Sequence, residues 1–179
     1  MIQQSDNPIV ETPTLHEFWK DFGEFPPYYF VRKEEVVFWK VIKKLKLTIK
    51  QRRIVIVGSQ GVGKSCFLML IAFYLACKEK RQVLLIRCLN ETDCVNAVVY
   101  LNGDGKYARL TNLAPKNINA IRRQVEGAFV LVDGYDQKDG KWTTNSSLFI
   151  FLQHRASTMR NMTTAHVLWF YPRGAKLTC

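Results

Sequence analysis

A chain of 179 residues and 20.8 kDa makes one domain of ordinary size, which excludes a small disulfide-stapled scaffold. Hydrophobic residues at 47% against 23% charged, with 11 Phe, 7 Tyr and 4 Trp, supply a packed core and exclude a disordered chain. The net charge of +11 is uneven, with 8 Lys/Arg against 7 Asp/Glu over residues 1–50, 18 against 8 over 51–179, and no acid after Asp139; such an excess suits phosphate-bearing partners (nucleotides, nucleic acid, an anionic membrane surface) and equally a basic surface of solvated lysines.

The polar opening, residues 1–14 with Pro8 and Pro13, reads as a flexible leader preceding a single domain over 15–179. It has no basic segment followed by an apolar one, so no secretory signal is visible and the chain reads as intracellular. The aromatic stretch from Leu15 is broken by Gly23 and by Pro26-Pro27, which impose an extended or turn conformation before Tyr28. Residues 31–49 place Val36, Val37, Trp39, Val41, Ile42 and Leu45 near helical spacing, predicting an amphipathic helix packed on the domain.

The period then changes. Arg53 to Val57 is a β-branched run suited to a strand buried on both faces. The apolar run Cys66 to Cys77 spans 12 residues, short of the roughly 20 needed to cross a bilayer, and reads as a buried helix with no membrane span. Gln82 to Arg87 is a second strand, and Ala97 to Leu101 with Tyr107 to Leu110 reads as a hairpin around Asn102-Gly103-Asp104-Gly105. A helix is expected over Ile118–Glu126, a strand over Ala128–Asp133, a helix over Ser147–Met159 and a strand over Val167–Tyr171. Alternating strands and helices predict an α/β fold with a parallel sheet covered on both faces. The five cysteines include no C-x-x-C pair and the three histidines are scattered, so neither a zinc site nor a disulfide framework is read, and a reducing compartment fits.

Gly58-Ser59-Gln60-Gly61-Val62-Gly63-Lys64-Ser65 matches G-x-x-x-x-G-K-[ST] in full. The glycines let backbone N–H groups turn inward onto phosphate oxygens, Lys64 reaches the β/γ-phosphates, Ser65 is a ligand for Mg²⁺, and the helix running through Cys66 presents its positive dipole end. The preceding strand and following helix are the setting such a loop requires. Asp133, where an apolar strand ends, is the acid expected to hold the metal's water shell; the alternative is an aspartate that merely opens the turn with Gly134. Gly134 stands where many hydrolysing ATPases place a glutamate, leaving Asp136 and Asp139 to position water, so slow hydrolysis is expected. Arg173, past the last strand, either meets the γ-phosphate or lies on the surface. Arg32 either approaches the nucleotide or pairs with Glu35. Trp19, Phe25, Pro27 and Tyr28 either stack on a base or plug the sheet's edge.

The combination of TPTLHEFWKDFGEFPPYYFVRKEEVVFWKVI, RRIVIVGSQGVGKSCFLMLIAFYLA, NAVVYLNGDGKYARL and GAFVLVDG resembles the P-loop NTPase module of the oomycete Crinkler effectors and, more distantly, is similar to the retrotransposon hot spot proteins of trypanosomes. The resemblance runs from about Thr12 to the C-terminus. It implies an additional-strand P-loop ATPase fold of the STAND/AAA type, ATP or GTP and Mg²⁺ as ligands, and FVRKEE as the arginine–glutamate segment preceding the loop. It also implies secretion and delivery into a host cell, commonly its nucleus, with host proteins as partners. No LFLAK-type header precedes the domain and no nuclease-like domain follows Cys179, so a core truncated at its C-terminus is expected. The expected function is a Mg²⁺-dependent nucleotide-binding module with weak or conditional NTPase activity; the alternative is a degenerate NTPase that binds proteins, or nucleic acid non-specifically, without catalysis.

Overall fold

Ile54-Val55-Ile56-Val57 is fully buried residue by residue, and the two faces of the strand it forms feed two different cores. Side chains alternate across a strand, so Ile54 and Ile56 pack into one cluster while Val55 and Val57 pack into the other. This strand occupies the interior of a sheet in the computed structural model, which describes residues 8–47, 53–58, 61–90, 95–134, 149–153 and 166–170.

The elements in chain order are β1 (Ile9–Glu11), α1 (Pro13–Trp19), β2 (Tyr28–Phe30), α2 (Lys33–Leu47), β3 (Arg53–Gly58), α3 (Lys64–Cys77), β4 (Val83–Asn90), β5 (Val95–Leu101), β6 (Tyr107–Thr111), α4 (Pro115–Gln124), β7 (Phe129–Asp133), β8 (Phe149–Gln153) and β9 (His166–Phe170). The main sheet has the order β6-β5-β4-β7-β8-β3-β9. The pairs β4·β7, β7·β8, β8·β3 and β3·β9 are parallel, whereas β4·β5 and β5·β6 are antiparallel. The fold is therefore α/β with a mixed sheet, which corrects the expectation of a parallel one. The Asn102–Gly105 turn returns the chain at once, so β6 can only run against β5.

One sheet face is covered by α2 and α3, with Leu68, Met69, Ile71, Ala72 and Leu75 packed on Leu85 and Leu131. The other carries α4, through Ile118 and the partly buried Ile121, over Val98, Val130 and Val132. α3 is apolar nearly all round because strands lie beneath it and α2 and the N-terminal layer lie above.

Three local expectations change. Residues 149–153, assigned to a helix, form β8; the run Phe-Ile-Phe-Leu-Gln is short, aromatic and β-branched, and inserting between two parallel strands satisfies its backbone on both sides. Within the leader expected over 1–14, Ile9–Glu11 pairs antiparallel with Tyr28–Phe30, and Thr12 is tied by N–H to the Pro27 carbonyl and by Oγ1 to the Pro26 carbonyl. Trp19 and Phe25, offered as a base-stacking surface, are fully buried: Trp19 meets Phe18 and Phe73 edge to face, and Phe25 stacks on Tyr29. They plug the core, while Tyr28 stays exposed.

Candidate functional site

The parallel strands β3, β7, β8 and β9 end at the same edge of the sheet, and the chemistry-bearing residues gather there. β3 delivers the chain into the glycine loop at Gly58, and β7 ends in Asp133, with β8 between them. Two strand spacings separate those ends by about 9–10 Å, close enough for a lysine from the loop and an acid from β7 to face one ligand.

Gly61 and Gly63 hold φ of +78° and +84°, the left-handed region that glycine enters without steric cost. A Cβ at Gly61 would meet nothing within 4 Å among the described residues. Gly63 is the N-cap of α3; among the described residues no side chain caps that helix, and its first turn holds no acid. The first intrahelical bond is donated by the Phe67 N–H to the Gly63 carbonyl. The N–H groups of Lys64, Ser65 and Cys66 therefore lie outside the helix's own ladder, at the positive end of its dipole, where anions bind.

Lys64 opens α3 and is 3% exposed. Burial pushes its ammonium below the ordinary lysine range, and the neighbouring Asp133 carboxylate pulls it back up. Ser65 and Cys66 are half-buried behind it. Burial raises the Cys66 thiol, with Arg87 acting in the opposite sense. Arg32, ahead of α2, donates from Nη1 to the Val62 carbonyl at 2.8 Å, so the FVRKEE segment holds the loop from the side. Its backbone N–H donates to Glu35 Oε2 at 3.3 Å, and both side chains stand just under 4 Å from where a Gly63 Cβ would be. Glu35 is buried, and burial raises its carboxyl above the usual range. Burial and the neighbouring Glu35 carboxylate push the Tyr29 hydroxyl far upward.

Asp133 is buried and ion-paired: Arg87 Nε donates to its Oδ2 at 2.9 Å, from the residue directly opposite in the parallel β4·β7 register. The Arg87 guanidinium also donates from Nη1 to the carbonyls of Phe22 (3.2 Å) and Gly23 (2.9 Å), and lies against Met69 Sδ. Sequence reading passed over Arg87, although a signal existed: VLLIR and FVLVD each carry one charge at the fifth position of an apolar strand, with opposite signs.

Arg32, Gly58, Gly61, Val62, Gly63, Lys64, Ser65, Cys66 and Asp133 thus converge on one edge, whereas Ser59, Gln60, Asp136 and Arg173 lie outside the described residues. A nucleotide's phosphates fit this loop in kind, since a glycine turn, a helix N-terminus and a buried cation are what a polyphosphate needs. Mg²⁺ fits in donor type, a hydroxyl from Ser65 and a carboxylate from Asp133, but the carboxylate already carries Arg87. Among the described residues no cluster of three or more His, Cys, Asp or Glu side chains forms a metal site of its own, and no helix is long and apolar enough to cross a membrane. No family model, curated protein or solved structure matches the chain.

Proposed function

We propose that the chain is a P-loop-type nucleoside-triphosphate-binding module with weak or conditional hydrolysis, serving as the nucleotide-responsive part of a Crinkler-like effector. The observation that carries this reading is the placement of a buried lysine at a helix N-terminus, directly after a glycine loop and near an acid on the same sheet edge. Further support comes from the extra strand, β8, between the loop strand and the acid strand, as an additional-strand P-loop ATPase requires. The loop amides and Lys64 hold the polyphosphate, and Arg32 stiffens the loop through Val62. Ser65 and Asp133 are the residues that would hold a Mg²⁺ accompanying the nucleotide, and the ion would help to neutralise phosphate charge.

Weak hydrolysis follows from Gly134. Its φ is +77°, and a Cβ there would stand 2.8 Å from the Cys88 carbonyl oxygen, so the backbone excludes a glutamate at this position. No other carboxylate among the described residues lies beside Asp133 in sequence to polarise water.

Differential melting with ATP and GTP in the presence of MgCl₂ tests the reading. A ligand that binds only the folded state stabilises it by about 2.7 kcal/mol at 100-fold over Kd, and Lys64→Ala removes the shift. Circular dichroism of Lys64→Ala checks that the variant is folded before the shifts are compared. An equal shift in both proteins, or none in either, overturns the assignment.

A further inference from the structure

Arg87 has no part in the P-loop reading, yet it is the most heavily engaged charge at the site. Its Nε is 2.9 Å from Asp133 Oδ2 and its Nη1 is held by two carbonyls of the N-terminal turn. Its side chain and that of Asp133 are 8% and 4% exposed. The position is built, not incidental: a Cβ on Gly23 would overlap the guanidinium, so the turn at residues 22–23 accommodates it only because Gly23 has no side chain. The β4·β7 register sets the arginine directly across from the acid.

We infer that Arg87 is the standing counter-cation of Asp133, and that nucleoside triphosphate therefore binds here with little dependence on Mg²⁺. The inference rests on the nucleotide-binding reading. A metal's water shell gains from an acid at this place because a carboxylate is an uncompensated negative charge; with a guanidinium in contact, an approaching dication meets a nearly neutral pair and is repelled by the arginine. The phosphates lose less without the metal than in a site of bare carboxylates, because the Asp133 charge is already met by Arg87 and the loop carries the cations Lys64 and Arg32. Arg87 is a positioning residue in this scheme: it acts through Asp133 and contacts no substrate.

Calorimetric titration of the whole chain with ATP and with GTP, in MgCl₂ and again in EDTA, tests it. For the nucleotide that binds, Kd is expected to change by less than about threefold between the two conditions. Arg87→Met, which removes the charge at similar volume, exposes the Asp133 charge to the metal, so the EDTA-to-Mg²⁺ ratio of Kd rises to about tenfold or more; Arg87→Lys, which keeps a cation, retains the wild-type ratio. Binding that weakens about a hundredfold or more in EDTA overturns the inference while leaving the phosphate-binding reading intact. No binding in either condition overturns both. A ratio unchanged in a folded Arg87→Met overturns the role of Arg87, and if that variant does not fold, the wild-type and Arg87→Lys ratios decide.

Discussion

Gly134 and Glu35 show how single positions at the site are constrained by what lies behind them. At Gly134 a side chain is opposed twice, by a left-handed φ and by the Cys88 carbonyl 2.8 Å from a Cβ. Gly134→Ala is expected to cost about 1–3 kcal/mol in urea denaturation, and Gly134→Glu to lose stability without gaining turnover; an unchanged midpoint would contradict the close approach. At Glu35 the folded-state carboxyl is raised by burial, so the folded chain holds a proton that the unfolded chain has released between the unfolded value of 4.5 and the higher folded one. Stability from this group is thus gained as pH falls through that window and lost as pH rises through the folded value. Glu35→Gln, which is neutral throughout, is expected to melt above wild type at neutral pH, with the advantage shrinking as pH falls toward the ordinary carboxylate range. Parallel melting curves from pH 4 to 8 check the sign; an advantage that grows on acidification would contradict it.

Among the elements, the N-terminal layer is tied to the far hairpin through Arg109 and Tyr107, whose ring meets Phe18 edge to face. Arg109 on β6 donates from Nη1 to the Phe18 carbonyl at 2.9 Å and lies over Phe22 (4.7 Å), Phe18 and Tyr107 (both 5.5 Å). It is an exposed residue, so Arg109→Ala is expected to cost about 0.5–1 kcal/mol, with faster amide exchange in α1; loss of more than half the total stability would show a larger role. The elements differ in how plainly the sequence announces them. β3, β4 and β7 are legible because each is an apolar β-branched run bounded by polar residues or glycine, and the P-loop is legible because a covalent pattern carries it. β8 is not, since a five-residue apolar run has the same look in a strand and in a buried helix, and only its neighbours β3 and β7 decide. The Arg87–Asp133 pair is hidden for the same reason: the residues lie 46 apart and meet through a register that no local period encodes. Trp19 and Phe25 read equally as ligand surface or core plug until tertiary packing sets Trp19 against Phe73 and Phe25 against Tyr29.

For the whole molecule, the +11 charge predicts non-specific binding to duplex DNA that weakens steeply with salt, because each neutralised phosphate releases condensed counterions. The cations that follow the last acid, Lys141, Arg155, Arg160, Arg173 and Lys176, are the ones expected to carry this binding; they lie outside the described residues, so the test is a titration of labelled duplex at two salt concentrations. Binding insensitive to salt, or none at low salt, would contradict it. The central claim is where a nucleotide's phosphates go, and an amide-resolved NMR titration with ATP measures that directly. The account predicts that the largest shifts fall on the amides of Gly61, Gly63, Lys64 and Ser65, with smaller ones at Asp133 and Arg87, and that Lys64→Ala abolishes them. Shifts concentrated away from the loop, or surviving unchanged in Lys64→Ala, would contradict it.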